Sequence, residues 1–218
     1  MKTINLLFLF ALLCSTQLAL SQDEMVPAPV MKNRIIKMDF FSPLTGNLTF
    51  AYEQVLANNI TLEGNIGIIG LSFVNDGFNG KGLFLKGGPK LYFTPDYMLD
   101  GMKRYNDFQG GYFKPEFIYS GFGFDYQTYN STNGMYNIER GTNNSIALML
   151  NFGKQWVLAK IISLDLHAGV GYGTSFYNYG TSTPSYDSYD LGYKYSHFEV
   201  PEIPLTFSAG FEIGILLK

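Results

Sequence analysis

The chain has 218 residues, enough for one domain or two small ones. Charged residues make up only 15% while aromatics reach 17%, carried by 19 Phe and 16 Tyr, and there are 24 glycines; this excludes disorder, a coiled coil and a helix-rich cytosolic enzyme. A net charge of −3 offers no basic footprint for nucleic acid, and a mean hydropathy of +0.03 argues against a polytopic helical membrane protein.

Residues 1–21 read as a cleaved secretory signal peptide. Lys2 supplies the positive start, residues 6–14 the apolar stretch, and Ala19-Leu20-Ser21 a small-x-small site with the cut before Gln22. The apolar run is about half of the ~20 residues a spanning helix needs. Leu13 precedes Cys14 where a lipoprotein signal wants a small residue. Cys14 is the only cysteine, so cleavage leaves a chain without disulfides or zinc–cysteine chemistry. Residues 22–33 form a proline-containing flexible lead-in, and 34–218 is the folded domain.

From there the hydrophobic period is two, not 3.6. Eight strands are expected, at 34–41, 47–56, 60–73, 82–93, 111–128, 145–157, 163–177 and 205–215. In the first, Ile36, Met38 and Phe40 oppose Lys37 and Asp39; in the second, Leu48, Phe50 and Tyr52 oppose Thr49, Ala51 and Glu53. The third sets Ile60, Leu62, Ile66 and Ile68 against Thr61, Glu63, Asn65 and Gly67. The last two alternate without interruption: Leu164, Leu166, Ala168 and Val170 against Asp165, His167 and Gly169, then Phe207, Ala209, Phe211 and Ile213 against Ser208, Gly210 and Glu212. The alternation slips near Ile69 and Gly121, which predicts β-bulges there. No helical crossover separates the strands, so an all-β, up-and-down antiparallel sheet is expected.

One face is uniformly large and apolar. The other is rich in glycine yet carries mid-strand charge: Lys37, Asp39, Glu53, Glu63, Lys86, Lys90, Lys114, Glu116, Asp165 and Glu212, with His167 beside them. A soluble sandwich hides its apolar face and scatters charge outside. A transmembrane barrel reverses this, with apolar side chains toward lipid and polar ones in a closed lumen. Eight strands leave an interior just wide enough for side chains, so these charges must pair and plug it. Tyr92, Phe93, Phe122, Phe124, Tyr126, Trp156, Tyr177 and Tyr179 lie near strand ends and are expected to form interfacial girdles. With the N-terminus inside, 57–59, 94–110 and 158–162 are internal turns. The external loops are 42–46, 74–81, 129–144 and 178–203, and the last two are long and polar.

Three local motifs add a family resemblance. Gly87-Gly88-Pro89-Lys90-Leu91-Tyr92-Phe93 is similar to a Gly-x-Pro-basic-x-Tyr-Phe strand end. Gly111-Tyr112-Phe113-Lys114-Pro115-Glu116-Phe117 is similar to a Gly-x-Tyr-x-Gly-Pro-Glu-Phe strand start, with Lys114 where glycine is usual. In the last strand Ser208, Gly210, Ile213 and Ile215 fit the signal read by the barrel assembly machinery. The chain ends Leu216-Leu217-Lys218, where many relatives end on an aromatic residue. Over 34–218 the chain resembles the small outer-membrane β-barrel proteins, similar in architecture to the transmembrane barrel of outer-membrane protein A. The resemblance implies export to the cell outer membrane. It also implies contact with outer-membrane lipid and lipopolysaccharide, and delivery by periplasmic chaperones to the assembly machinery.

Specific chemistry is less legible. Asp165, His167 and Glu212 could form an acid–base or metal group, weighed against a salt-bridged plug. His197 lies in a Tyr-rich loop, with Tyr195-Ser196-His197 the nearest Ser–His neighbours. Gly169-Val170-Gly171-Tyr172-Gly173 lacks the following helix that phosphate binding needs. The Asn47, Asn59, Asn130 and Asn143 sequons read as chance. No catalytic residue, cofactor or metal is expected. The reading is a non-enzymatic barrel acting through loops 129–144 and 178–203; the alternatives are a lipid- or lipopolysaccharide-modifying enzyme, a narrow pore, or a soluble ligand-binding barrel.

Overall fold

A computed structural model describes residues 32–71, 79–93, 107–130, 135–180, 194–200 and 203–218. The signal peptide at 1–21, most of the lead-in at 22–33 and most of the turn at 94–110 lie outside the described residues. Eight long strands follow one another. They are β1 (Arg34–Asp39), β2 (Asn47–Ala57), β3 (Ile60–Ile69), β4 (Lys81–Tyr92), β5 (Gly110–Asn130), β6 (Met135–Leu158), β7 (Ile162–Asn178) and β9 (Leu205–Leu217). A two-residue strand, β8 (Phe198–Glu199), sits before β9, inside the segment the sequence marks as a loop. Every pairing is antiparallel and between neighbours, and β9 also pairs with β1, which closes the sheet into a barrel.

The strand registers fix its geometry. Ile36 leads in turn to Tyr52, Gly64, Gly87, Phe117, Leu148, Tyr172 and Leu205, whereas Ile36 itself pairs with Ile215. The circuit therefore returns to β9 displaced by ten residues, from Leu205 to Ile215. Eight strands with that stagger tilt about 40° from the barrel axis, so each residue rises about 2.5 Å along it. β1 is short and covers only the Arg34–Asp39 stretch opposite Glu212–Leu217. β8 continues along that edge of β9, pairing Phe198 with Phe207 and Glu199 with Thr206.

Turn chemistry differs between two hairpins at the same end. Asn59 takes φ 67° between β2 and β3, a conformation asparagine tolerates. Ala159 and Lys160 take φ 51° and 57° between β6 and β7. Neither favours this region; the long ladder on both sides imposes it.

The two predicted bulges are absent among the described residues. The registers run unbroken up to Ile69, where β3 ends, and past Gly121, and the one shift lies between Val55 and Ala57. Alternation of direction is intact; the residue type on the inner face changes. Ile69, Phe122, Phe124 and Tyr126 all point inward and are buried, together with Phe84 and Tyr195. For the same reason the expected girdle is partly overturned. Tyr92, Phe122, Phe124 and Tyr126 are interior residues, Tyr177 and Tyr179 pack against the cluster that holds the last three, and only Phe93 is strongly exposed. The loop at 129–144 also shrinks, because β5 and β6 stay paired as far as Asn130 and Met135.

Candidate functional site

The interior is stratified along the axis. At the short-turn end Ile35, Phe108 and Leu216 form an apolar floor with Val55 and Val157. At the opposite end the aromatic cluster forms a roof. Strand parity places all eleven charged residues singled out in the sequence on inward positions, and between floor and roof eight of them interlock.

Lys37 and Lys90 share three carboxylates. The Lys37 ammonium lies 2.6 Å from Glu53, 2.6 Å from Glu63 and 2.7 Å from Asp165. The Lys90 ammonium lies 2.6 Å from Glu63, 2.5 Å from Asp165 and 3.4 Å from Glu53. Gln155 Oε1 accepts from both lysines, at 2.9 and 3.2 Å. Lys114 bridges Glu63 and Glu116, each at 2.7 Å. Glu212 reaches Lys37 at 3.4 Å. Glu53, Glu63 and Asp165 are close enough to suit a cation, and the two ammonium groups occupy that role.

Five carboxylates outnumber three lysines in this layer, and neutral donors supplement the lysines. The Tyr92 and Thr61 hydroxyls donate to Glu53, and Tyr112 donates to Asp165. Asn151 donates to Glu116 and Asn65 to Glu212. Such satisfaction is what makes buried charge tolerable. Sequence reasoning missed these partners; inward strand parity was the available signal.

Inward glycines make room for the larger groups. Phe84 lies over its cross-strand partner Gly67, where an added Cβ would come within 2.0 Å of the ring. Tyr112 covers Gly153 and His167 covers Gly210 in the same way.

Three predicted members stand outside the bonded layer. No hydrogen bond among the described residues joins His167 to Asp165 or Glu212, so the Asp–His–Glu group is not assembled; Asp165 is taken by Lys37, Lys90 and Tyr112. Asp39 and Lys86 instead line a cavity of about 200 Å³ at the roof end. Of the assembly-signal residues, Ile213 and Ile215 face outward, while Ser208 points inward and donates to Asn151.

Part of the 178–203 loop folds into this mouth. Tyr195, Ser196 and His197 are all buried, contrary to a solvated loop. Tyr195 takes φ 62°, which turns the chain so that His197 follows inward. Ser196 Oγ lies 2.8 Å from His197 Nδ1. Burial, then the nearby Lys86 and Lys194, push the His197 pKa down to about 4. Burial also lowers Lys194, against the pull of Glu199 at 3.5 Å. The Asn143 sequon is fully buried in β6, which excludes glycosylation of that side chain in the fold.

No family model matches the chain, and no curated protein matches it. Among solved structures it is similar to the N-terminal β-barrel domain of Pseudomonas aeruginosa OprF. The identity is 9%, the match covers 86% of this chain and 98% of that one, and the TM-score is 0.34. The barrel assignment rests on the strand registers themselves.

Proposed function

We propose that the chain is an integral outer-membrane β-barrel, non-enzymatic and plugged, with a structural or surface-interaction role. The observation that supports this reading is a belt of outward side chains without charge. Among the described positions of the eight long strands, outward charges are confined to Arg34, Lys81, Asp125, Arg140 and Lys154, all toward strand ends. Between Asn144 and Lys154 on β6 the outward residues are Ile146, Leu148, Leu150 and Phe152, all exposed. Those ten residues climb about 25 Å along the axis, the height of the apolar band of an outer-membrane barrel.

In this reading the belt contacts lipid and lipopolysaccharide, and Trp156 with its Lys154 neighbour, 5.8 Å from the ring, sits at one boundary. The short turns face the periplasm, and Ser208, Gly210, Ile213 and Ile215 present the last strand to the assembly machinery. Beyond the belt β5 and β6 continue as a projecting hairpin, with Tyr136 and Ile138 exposed for outside contacts. The layer of interlocked charges supports a closed lumen rather than a pore, and planar-bilayer recording is expected to show no discrete conductance.

Leu148→Lys tests the membrane reading. A lysine near mid-bilayer costs roughly 2–4 kcal/mol. Folded yield in lipid vesicles, read as heat-modifiable gel migration, is expected to fall accordingly. A mature chain that stays soluble without detergent, and is indifferent to Leu148→Lys, overturns the assignment.

A further inference from the structure

The mouth cavity has chemistry that neither a lipid-facing wall nor a salt-bridged plug requires. Four lysines point into the barrel. Three of them have carboxylates within 2.7 Å, whereas Lys86 has no ion pair among the described residues. It lies 5.1 Å from the Phe84 ring and lines the cavity. A half-buried cation facing a cavity is stabilised by an anion brought to it.

His197 lines the same cavity and is 2% exposed. The 2.8 Å contact is the shorter of the two made by the Ser196 hydroxyl, the other being 3.4 Å to the Lys194 carbonyl. In the tautomer in which the hydroxyl donates to Nδ1, the neutral ring carries its proton on Nε2. That nitrogen has no hydrogen-bond partner. Opposite charge is present too: Asp39 accepts from the Phe41 amide through Oδ1 and lines the wall. Phe41 and Phe198 stand half-exposed along the cavity.

A simple anion would satisfy Lys86 and His197 but be repelled by Asp39. A neutral ligand would leave Lys86 unpaired. A ligand with one carboxylate and several hydroxyls satisfies all three, and its ring can lie against the aromatic faces. The volume is below the roughly 300 Å³ at which drug-sized pockets begin, which limits the occupant to about one ring.

We propose that the mouth cavity binds a single acid-sugar unit, with its carboxylate on Lys86 and His197 and its hydroxyls on Asp39. The unit is either a free sugar acid or one residue of a surface polysaccharide.

The test uses the chain refolded in detergent micelles with ¹⁵N-labelled histidine rings. The chain has two histidines, so His167 serves as an internal reference for His197. Glucuronate is titrated in one arm, a short oligomer of glucuronate in a second and glucose in a third. A saturable His197 shift with free glucuronate identifies a diffusible sugar acid. A shift with the oligomer alone identifies a polysaccharide unit. Lys86→Met is expected to weaken either by at least about tenfold, as loss of a charge-assisted contact should. Its heat-modifiable migration verifies the fold. The proposal is overturned if neither sugar acid moves the His197 signal, if glucose binds equally well, or if a folded Lys86→Met barrel binds unchanged.

Discussion

The two charged regions of the interior are built from the same residue types on the same strand faces, yet they differ in closure. In the lower layer every lysine has two or more carboxylates, and four of the five carboxylates also accept from a tyrosine, threonine or asparagine. At the mouth Lys86 and Asp39 line an open cavity, joined by a histidine whose outer nitrogen is unpartnered. Closure converts buried charge into a rigid cross-brace between β1, β2, β3, β4, β5, β7 and β9. Incomplete closure leaves binding capacity. The difference arises at the ends of the strands, where the turn after Asp39 and the inserted 194–197 segment replace the neighbouring strands that would have supplied partners.

Removing one cation from each region separates them most sharply. Lys37→Met leaves Lys90 alone to serve Glu53 and Asp165, with Lys114 still on Glu63, and breaking such a buried network costs about 3–5 kcal/mol. Lys86→Met removes no ion pair, so the loss should stay below about 1 kcal/mol. Urea unfolding of both variants in lipid vesicles measures the gap. Equal losses would show that the mouth is braced as firmly as the layer beneath.

Acid should act on the mouth through His197. Its folded pKa of about 4 lies below the unfolded value of 6.5. Between those values the unfolded chain binds a proton that the folded chain excludes, so stability falls as pH drops from 6.5 to 4 and levels off below. The slope of about 1.4 kcal/mol per unit gives a loss of about 3 kcal/mol. Lys86 and Asp39 line the same cavity, and Lys194 and Glu199 lie beside it. The comparison with His197→Gln therefore isolates the imidazole. Hydrogen exchange of residues 194–200 is expected to accelerate on acidification in the parent and much less in His197→Gln. An identical pH response in both would remove His197 as the sensitive group.

Much of the fold was legible because a barrel repeats one rule. Period-two alternation located all eight long strands, and closure of the last onto the first was expected. Inward parity for Lys37, Glu53, Lys90 and Asp165 followed directly from it. What alternation cannot show is a change of residue type at constant direction. Ile69 and Phe122 are apolar yet inward, because the roof is aromatic, and this mimicked a bulge. Ala159-Lys160 carries no turn signature; its left-handed backbone is imposed by pairing from Thr142 to Leu158 against β7. Tyr195-Ser196-His197 has polar loop chemistry, and only the tertiary fold turns it inward to meet Lys86 and Asp39. The cavity was hidden because its walls come from β1, β2, β4, β9 and a loop, which no local pattern brings together.

Glycines give the smallest and most local test of the same contrast, because they line both faces of the sheet. Gly67 faces inward beneath Phe84, a wall of the mouth cavity, and an added Cβ would sit 2.0 Å from that ring. Gly64 faces outward on the same strand, where the nearest atom to an added Cβ is 4.0 Å away. Gly67→Ala must therefore displace the Phe84 ring, and overpacking of this kind costs about 1–3 kcal/mol. Gly64→Ala meets open space and should be close to neutral. Urea midpoints for the two variants, read alongside the His197 ring signal, distinguish a displaced cavity wall from a general loss of strand stability. If both alanines cost the same, then strand propensity rather than the packing of Phe84 over Gly67 governs this strand, and the mouth is less tightly shaped by β3 than the structure indicates.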